Sequence, residues 1–272
     1  MERKHFTKEI ITLMNTNIYC EYILNGKPPI LLIHGFVASI HTFNRLMPLL
    51  AKHFSVVAID LPGFGRSEKS KTFVYSYKNY ATLLMRVIDY FGFQQVCIMG
   101  HSMGGQIALY TARMIPESIH KLILLNSSGY MGRAHRWLIF SSYLPFFHLA
   151  AKRYVQKQSV EDTLKNVLFD HSLITDELKE EYSIALRDQN FYRSLIRLLR
   201  HREGDLMPEQ LQEIQQPVLL LWGKEDKVVP LDVGKQLAKD LPNASLTIYD
   251  NAGHLITEEK PEDIYEQIRA FI

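Results

Sequence analysis

The sequence contains few cysteines and carries little net charge, and these two shortages exclude several classes of protein. Cys20 and Cys97 are the only cysteines among 272 residues, too few for a disulfide framework, and Cys97 lies in an apolar run typical of a buried strand. We therefore expect two unpaired thiols and a cytoplasmic location, where thiols stay reduced. The formal net charge of +2 is too small to indicate a nucleic-acid partner.

Long hydrophobic runs and metal-binding spacings are also missing. The most apolar tract, residues 137–151, contains Pro145 and His148 and is too short to cross a bilayer. Residues 1–9 are charged and lack the apolar stretch of a secretory signal. No His-Glu-x-x-His motif or cysteine pair at metal spacing occurs, so we expect no metal. The Gly-Phe-Gly at residues 63–65 lacks the third glycine of a dinucleotide fingerprint, and we expect no cofactor.

What the sequence does contain is an alternation of two hydrophobic patterns. Residues 17–24 alternate as in an edge strand. Continuous apolar runs, typical of strands covered on both faces, occur at residues 30–33, 55–59, 96–99, 122–125, 218–221 and 245–249. Helical segments lie between them at residues 41–52, 76–91, 103–115, 231–240 and 261–271. The alternation predicts an α/β fold, a mostly parallel central sheet with helices on both faces.

One long interval breaks this alternation. Roughly 90 residues separate the runs at 122–125 and 218–221, far more than a crossover needs. Three segments within the interval have helical apolar spacing: residues 160–168, 176–186 and 191–201. We therefore predict a helical cap at residues 130–205, inserted into a core made of residues 1–129 and 206–272.

The most specific motif is Gly-His-Ser-Met-Gly-Gly at residues 100–105. An apolar run precedes it and a small-residue helical pattern follows, which predicts strand, tight turn and helix with Ser102 at the apex. A Cβ two residues before or two residues after Ser102 would collide with the neighbouring strand or helix. The N–H of Met103 is expected at the helix N-terminus, where it can bind a developing oxyanion.

Polar motifs also follow the other predicted strands, where the reactive groups of a doubly wound sheet gather. His-Gly-Phe occupies residues 34–36; its glycine allows close backbone approach, and the Phe36 N–H is expected to be the second oxyanion donor. A turn-rich loop, Asp-Leu-Pro-Gly-Phe-Gly-Arg-Ser, begins at Asp60. The fifth and sixth apolar runs lead to Asp226 and His254.

In combination, these motifs resemble those of the α/β-hydrolase superfamily, in its compact capped branch with this serine motif. The resemblance covers nearly the whole chain outside the cap. It implies Ser102 as the nucleophile, Asp226 as the orienting acid and His254 as the base, in the chain order of that fold. The chemistry asks for the same residue types, because a serine hydroxyl needs a base to take its proton and a carboxylate fixes the tautomer of that base.

Other acids compete with Asp226 for the orienting role. Glu225 is its direct neighbour, and Asp60 opens a loop in which aspartate commonly binds the local backbone. Some relatives place the acid after the strand that here ends at Asn126, whose amide cannot supply the charge. Asp250 is interpreted as a solvated loop residue. These comparisons favour Asp226.

Three histidines lie near the predicted site. His254 is expected to be the base rather than a surface histidine, because it follows Gly253 after the last strand. His101, next to the nucleophile, is expected to pack or hydrogen-bond at the turn, and His34 to support the loop that carries Phe36.

The serine nucleophile indicates a reaction class. Relatives that dehalogenate alkanes or open epoxides use an aspartate there, so Ser102 argues against both activities. Serine with a histidine base indicates acyl transfer through an acyl-enzyme, with hydrolysis of an ester, a thioester or an activated amide.

Three functions stay open. The first is a carboxylesterase acting on monoacyl lipids or other medium-chain esters, because the serine motif is similar to that of monoacylglycerol lipases. The second is a carbon–carbon bond hydrolase of aromatic ring-fission products; such enzymes tend to have asparagine and tryptophan where this chain has His101 and Leu255. The third is a ligand-binding or signalling protein on a hydrolase scaffold.

The cap is expected to set the substrate. Between residues 130 and 160 there is no acid, and there are five basic residues: Arg133, Arg136, Lys152, Arg153 and Lys157. One interpretation is the solvated basic face of a helix packed on the core. The other is an apolar acyl pocket under a lid, whose basic rim attracts anionic head groups or a lipid surface. On the second interpretation the partner is a small-molecule ester with an apolar acyl group, bound by Trp137, Phe140, Tyr143, Phe146 and Phe147.

Overall fold

A central sheet organises the part of the chain described by the structure, a computed structural model that covers residues 5–155, 157 and 159–272. Its eight strands in that part are β1 (Thr7–Leu13), β2 (Thr16–Ile23), β3 (Pro29–Ile33), β4 (Ser55–Ile59), β5 (Val96–His101), β6 (Ile119–Leu125), β7 (Val218–Gly223) and β8 (Ala244–Tyr249). The spatial order is β1-β2-β4-β3-β5-β6-β7-β8. Only β2 runs antiparallel to its neighbours, and the other pairs are parallel, so the predicted sheet is confirmed.

Helices connect and cover the strands. They are α1 (Met47–Leu50), α2 (Tyr77–Tyr90), α3 (Met103–Met114), α4 (Arg136–Ser141), α5 (Phe147–Val155), α6 (Val160–Val167), α7 (Asp176–Arg187), α8 (Gln189–His201), α9 (Pro208–Leu211), α10 (Leu231–Asp240), α11 (Ile256–Glu259) and α12 (Pro261–Phe271). Side chains of α2, α3 and α10 bury one face of the sheet, and those of α1 and α12 bury the other.

Both faces of the parallel strands are buried, as their continuous apolar runs predict. Along β3, Leu31 and Ile33 belong to one hydrophobic cluster, whereas Ile30 and Leu32 belong to the cluster on the opposite face. Successive strand residues point to opposite sides, so a run of four apolar residues serves two helical layers. This packing fixes the carboxyl ends of the strands, where the candidate site lies.

The predicted edge strand is wrong. Residues 17–24 correspond to β2, which is covered by β1, and β1 is the edge. Ile11 is the only fully buried residue of β1. Most side chains of this edge strand are in contact with solvent, so the sequence of β1 has only a faint apolar pattern. The β1–β2 hairpin uses Met14 and Asn15, both at positive φ, a type I′ turn without the Asn-Gly signal.

The first predicted helix, residues 41–52, is also different. It divides into a 3-10 turn at Ile40–Phe43 and the short helix α1. Pro48 has no N–H to donate, so it is accommodated in the first turn of α1 and not in the interior of a longer helix. The N–H of Ile40 is bound by the Asp60 carboxylate, which fixes where the first turn begins.

In the described part of the chain, six helices, α4 to α9, lie between β6 and β7, and we call the first five, α4 to α8, the helical insertion. The predicted helices at 160–168, 176–186 and 191–201 correspond to α6, α7 and α8. The insertion attaches to the core near the last strand, because Leu164, Leu168 and Leu178 form a buried cluster with Leu255.

Some sequence predictions concern residues outside this description. Residues 1–4 of the charged N-terminal stretch, and positions 156 and 158 of the predicted cap, belong to that group.

Cys20 and Cys97 are buried and form no disulfide, and burial raises the pKa of the Cys20 thiol to about 12. In the described ranges, no helix combines the length and the apolar character that a membrane span requires.

Candidate active site

Ser102 lies in a strained turn between β5 and α3. Its φ is +53° and its ψ is −119°, a combination that residues with a side chain rarely adopt. Two glycines make the turn sterically feasible: a Cβ at Gly100 would lie 2.3 Å from the Gly104 carbonyl oxygen, and a Cβ at Gly104 would lie 2.2 Å from that of Ile33. The predicted strand, turn and helix are therefore present, packed closely enough to exclude larger residues.

Main-chain hydrogen bonds to the end of β6 fix this turn. The Ser102 N–H donates to the Leu125 carbonyl at 3.0 Å, and the Ser128 N–H donates to the Ser102 carbonyl at 3.1 Å. The Gly105 N–H also donates to the Ser102 carbonyl, at 2.9 Å, where α3 begins. The backbone that carries the serine is thus held from the strand side and from the helix side.

His254 and Asp226 form a buried pair at the same edge of the sheet. The distance from His254 Nδ1 to Asp226 Oδ2 is 2.7 Å, and both side chains are almost completely buried. Asp226 follows β7 and His254 follows β8, so the carboxyl ends of two parallel strands bring them together. A carboxylate bonded to Nδ1 favours the tautomer that carries the proton there, which leaves Nε2 as an acceptor.

Three further donors hold the Asp226 carboxylate. Its Oδ1 accepts the N–H groups of Val228 and Val229 at 2.7 and 2.9 Å, and its Oδ2 accepts the Asn126 amide at 2.5 Å. Burial alone would raise the pKa of Asp226. The hydrogen bond from His254, the positive charge that His254 carries when protonated, and the hydrogen bonds from Val229 and Asn126 together bring this pKa below its usual value. Asp226 is therefore ionised at neutral pH.

His101 connects the turn that contains Ser102, here called the serine turn, to the loop after β8 that carries His254, here called the histidine loop. Its Nε2 lies 2.8 Å from the His254 carbonyl oxygen, and the centroids of the two imidazole rings are 4.7 Å apart. Since His101 directly precedes Ser102, the structure brings Ser102, Asp226 and His254 to one region. Burial, followed by the charge of His254, lowers the pKa of His101 to about 3, so its ring is neutral and donates through Nε2.

The His-Gly-Phe loop packs directly against the serine turn. A Cβ at Gly35 would lie 2.9 Å from the Ser102 Cβ, so a side chain at this position would separate the two loops. Phe36 follows Gly35 and Met103 follows Ser102, so the two predicted oxyanion donors flank this contact. The Met103 side chain is buried, whereas that of Phe36 is 53% exposed. Their role as donors stays a prediction.

The buried side chains of Asp60 and His34 accept hydrogen bonds from main-chain N–H groups near this loop. The Asp60 carboxylate accepts the N–H of Ile40 at 2.7 Å and that of Arg66 at 2.6 Å. His34 Nε2 accepts the Leu61 N–H at 2.9 Å, and burial lowers the pKa of His34 to about 4. Burial also raises the pKa of Asp60 to about 6 in spite of its hydrogen bonds. Asp60 thus orders the backbone of two loops.

The other competing acids are bound elsewhere. Glu225 accepts the Ala252 N–H at 3.0 Å, and Asp250 pairs with Lys224 at 2.5 Å on the surface. In the described part of the chain, Asp226 is the carboxylate that contacts His254.

Two residues that the sequence did not single out bind the histidine loop. The Val167 carbonyl, at the end of α6, accepts the N–H of His254 at 2.7 Å and that of Leu255 at 3.1 Å. The Glu259 carboxylate accepts the Gly253 N–H with one oxygen, at 2.6 Å. Its other oxygen accepts the N–H groups of Phe169 and Asp170, which follow α6 in the chain. The insertion is therefore bonded to the loop that carries His254. No sequence motif marks a carbonyl acceptor, and Glu259 resembles any exposed helical acid.

The aromatic side chains predicted to line an acyl pocket lie largely on the surface. Trp137, Phe140, Tyr143 and Phe146 are between 62% and 72% exposed, and Phe147 is half-buried. None of the five lines the small cleft between the core and α7. That cleft is lined by Val37, Ala38, Ser39, Gly65, Arg66, Glu181, Tyr182, Ile184 and Ala185. The exposure of the aromatic residues gives the pocket assignment no support.

Among the residues that the structure describes, no group of three or more histidine, cysteine, aspartate or glutamate side chains is arranged to hold a metal ion.

Comparison with known proteins identifies the family. A family model for the alpha/beta hydrolase fold matches residues 28–261. The uncharacterized hydrolase YugF of Bacillus subtilis (strain 168) is 44% identical over 262 residues, which are 96% of each chain. A 2-hydroxy-6-oxononadienedioate/2-hydroxy-6-oxononatrienedioate hydrolase of Paraburkholderia phymatum is 28% identical over 260 residues, covering 91% of this chain and 88% of its own.

Among solved structures, that of a membrane phospholipase A superposes with a TM-score of 0.82. The identity is 27%, and the match covers 99% of this chain and 86% of the other. The sheet order, the strained serine turn and these matches agree, and the chain belongs to the α/β-hydrolase fold family.

Proposed function

We propose that this hydrolase cleaves carboxylic esters with an apolar acyl group, through an acyl-enzyme formed on Ser102. The observation that carries the proposal is the buried 2.7 Å hydrogen bond between His254 and Asp226, beside the turn that presents Ser102. A serine at a strained turn has no strong nucleophilicity of its own, and a histidine oriented by a carboxylate supplies the base that it needs.

The first step follows from the protonation states. With its Nδ1–H bound to Asp226, His254 accepts the Ser102 hydroxyl proton at Nε2 while the oxygen attacks the ester carbonyl carbon. The ionised Asp226 then stabilises the imidazolium, and this interaction is strong because water is largely excluded from the pair.

The carbonyl oxygen becomes an oxyanion in this step, and the N–H groups of Phe36 and Met103 stabilise it. Each such donor contributes about 3 to 4 kcal/mol of transition-state stabilisation in comparable enzymes. The tetrahedral intermediate collapses as His254 protonates the leaving alcohol. Water then attacks the acyl-enzyme with His254 again as base, which releases the acid and regenerates Ser102.

A second candidate is carbon–carbon bond hydrolysis of aromatic ring-fission products. It is favoured by the 28% identity with the Paraburkholderia phymatum hydrolase over most of both chains. His101 and Leu255 argue for the ester, because carbon–carbon hydrolases of this kind tend to have asparagine and tryptophan at these positions. A third candidate, ligand binding without turnover, is opposed by the paired base and acid next to the serine.

A substrate panel separates these candidates. Purified protein is assayed with p-nitrophenyl esters of increasing acyl length, the matching thioesters and a vinylogous diketone acid, with Ser102→Ala as the control for each. We expect turnover of esters that depends on Ser102. Preferential turnover of the diketone acid would replace the proposal by the second candidate. Absence of turnover, together with failure to react with a fluorophosphonate probe, would leave ligand binding.

A further inference from the structure

The helical insertion has an exposed apolar surface that the catalytic proposal does not use. We propose that residues 131–153, here called the α4–α5 segment, dock this protein onto the surface of an anionic phospholipid bilayer. The inference rests on the proposed function for its physiological meaning, because a docked esterase meets acyl esters at the interface. Docking itself needs no turnover and is tested separately.

Exposed large hydrophobic side chains are concentrated in this segment. Eight of the 17 such side chains in the described part of the chain belong to it: Met131, Trp137, Leu138, Phe140, Tyr143, Leu144, Phe146 and Leu149. Isolated exposed apolar residues are ordinary on proteins, but a contiguous set marks an interaction surface. Aromatic and leucine side chains on short helices are the residues that insert into the head-group region of a bilayer.

Hydrogen bonds hold the segment in the form that exposes these side chains. The Arg200 guanidinium, on α8, donates to the hydroxyl and to the carbonyl oxygen of Ser142, in the turn between α4 and α5. The same guanidinium lies 4.0 Å from the centroid of the Tyr143 ring. Ser142 is buried while the residues after it are exposed. The turn is therefore anchored from beneath, and its apolar side chains point away from the core.

The charge of the segment selects the kind of bilayer. Residues 130–160 contain no acidic side chain, and Arg133, Arg136 and Arg153 are exposed beside the apolar residues. Asp205, which binds the Met131 N–H at 3.1 Å, is buried and lies 3.5 Å from Arg202, so it contributes no negative surface. Basic side chains around an apolar patch complement phosphatidylglycerol and similar lipids, whereas a protein partner would need matching acidic groups.

The two tryptophans provide a direct probe. Trp137 is exposed in the segment, and Trp222, the other one, is fully buried in β7. Vesicles of phosphatidylglycerol and phosphatidylcholine in equal parts are therefore expected to shift the Trp137 emission to the blue, and lipids brominated near the head group to quench it. Vesicle flotation measures the bound fraction, with pure phosphatidylcholine vesicles as the reference.

Two double variants test the two parts of the surface. Arg136→Gln with Arg153→Gln is expected to weaken binding to anionic vesicles about fivefold per charge removed. Leu138→Ser with Leu144→Ser is expected to weaken binding at every salt concentration. The matched controls are Ile10→Ser on the exposed edge of β1 and Arg86→Gln on α2, which should bind as the unchanged protein does. Far-UV circular dichroism and thermal midpoints verify that each variant is folded.

Each outcome decides the inference. Anionic-selective binding that both double variants reduce, and the controls do not, supports it. Equal binding to neutral and anionic vesicles, or no binding at low salt, overturns it. So does a concentration-dependent dimer in sedimentation that the same variants abolish, because the surface would then join two copies of the chain. Flotation is repeated with Ser102→Ala, so that docking is measured whether or not ester hydrolysis is found.

Discussion

The amide of Asn126 donates to the same Asp226 oxygen that binds His254. Asn126 directly follows β6, at the position where some relatives carry their acid. A neutral amide cannot orient the imidazole by charge, but it supports the carboxylate that does. Of Asn126 and Asp226, only Asp226 carries a negative charge. Its buried carboxylate accepts hydrogen bonds from four donors, which keep it ionised.

Asp226→Asn should lower kcat for ester hydrolysis by roughly 10⁴, by analogy with the aspartate of serine proteases, because the amide favours the wrong tautomer of His254. The assay is steady-state hydrolysis of a p-nitrophenyl ester near neutral pH. The matched control is Asp60→Asn, which alters the buried loop support but not the His254 contact. A larger loss of kcat in Asp60→Asn than in Asp226→Asn would contradict our choice of acid.

Ser102→Ala should remove ester hydrolysis to background, a loss of roughly 10⁶ in kcat. The variant should fold, because the main-chain bonds that fix the turn do not involve the hydroxyl. Mass spectrometry after treatment with a fluorophosphonate probe should show one adduct on the unchanged protein and none on the variant. Ser118→Ala, in the turn before β6, is the control and should keep both activity and labelling.

The buried His101 predicts how stability depends on pH. In the folded protein its pKa is about 3, whereas the unfolded value is about 6.5, so between these values the unfolded state binds a proton that the folded state excludes. The stabilisation is complete above about pH 6.5 and is lost as the pH falls towards 3, by about 1.4 kcal/mol per pH unit in that window.

Urea unfolding at several pH values measures this dependence. His101→Asn keeps a donor for the His254 carbonyl but cannot titrate, so its stability should fall less steeply below about pH 6.5. Other buried histidines affect both proteins alike and cancel in the difference. Equal slopes for the two proteins would show that His101 is not held neutral.

Glu259→Gln should slow catalysis by about tenfold in kcat and destabilise the fold by about 2 kcal/mol. Both carboxylate oxygens accept main-chain N–H groups, and an amide would turn its NH₂ towards one of them. The KM should change little, because the affected loop carries the base. Glu262→Gln, exposed on α12, is the control. Loss of stability with unchanged kcat would assign Glu259 a purely structural role.

The sheet, and the edge of it at which the candidate site lies, were predictable because they depend on local patterns. Continuous apolar runs separated by helices require a parallel sheet with two covered faces, and parallel strands bring their carboxyl ends to one edge. Ser102, Asp226 and His254 lie within five residues of the ends of β5, β7 and β8, so their positions in the chain place them near that edge.

Features that depend on tertiary contacts were not predictable. The strand β1 is recognisable only from its pairing with β2, since its own side chains are mostly solvated. The exposure of Trp137 and its neighbours depends on how α4 and α5 rest on α8, and an apolar sequence by itself suggests burial. Glu259 binds backbone groups from two distant loops, a role that leaves no pattern in the sequence.

The bond from the His254 amide to the Val167 carbonyl has a consequence for substrate entry if His254 is the catalytic base, as we propose. An outward movement of α6 would break the bonds to His254 and Leu255 and would displace the loop that carries this proposed base. The protein could then not admit substrate by moving α6 and hold His254 in its catalytic position at the same time. If α6 stays in place, the proposed base keeps its position. We therefore expect that any movement that admits the substrate involves elements other than α6.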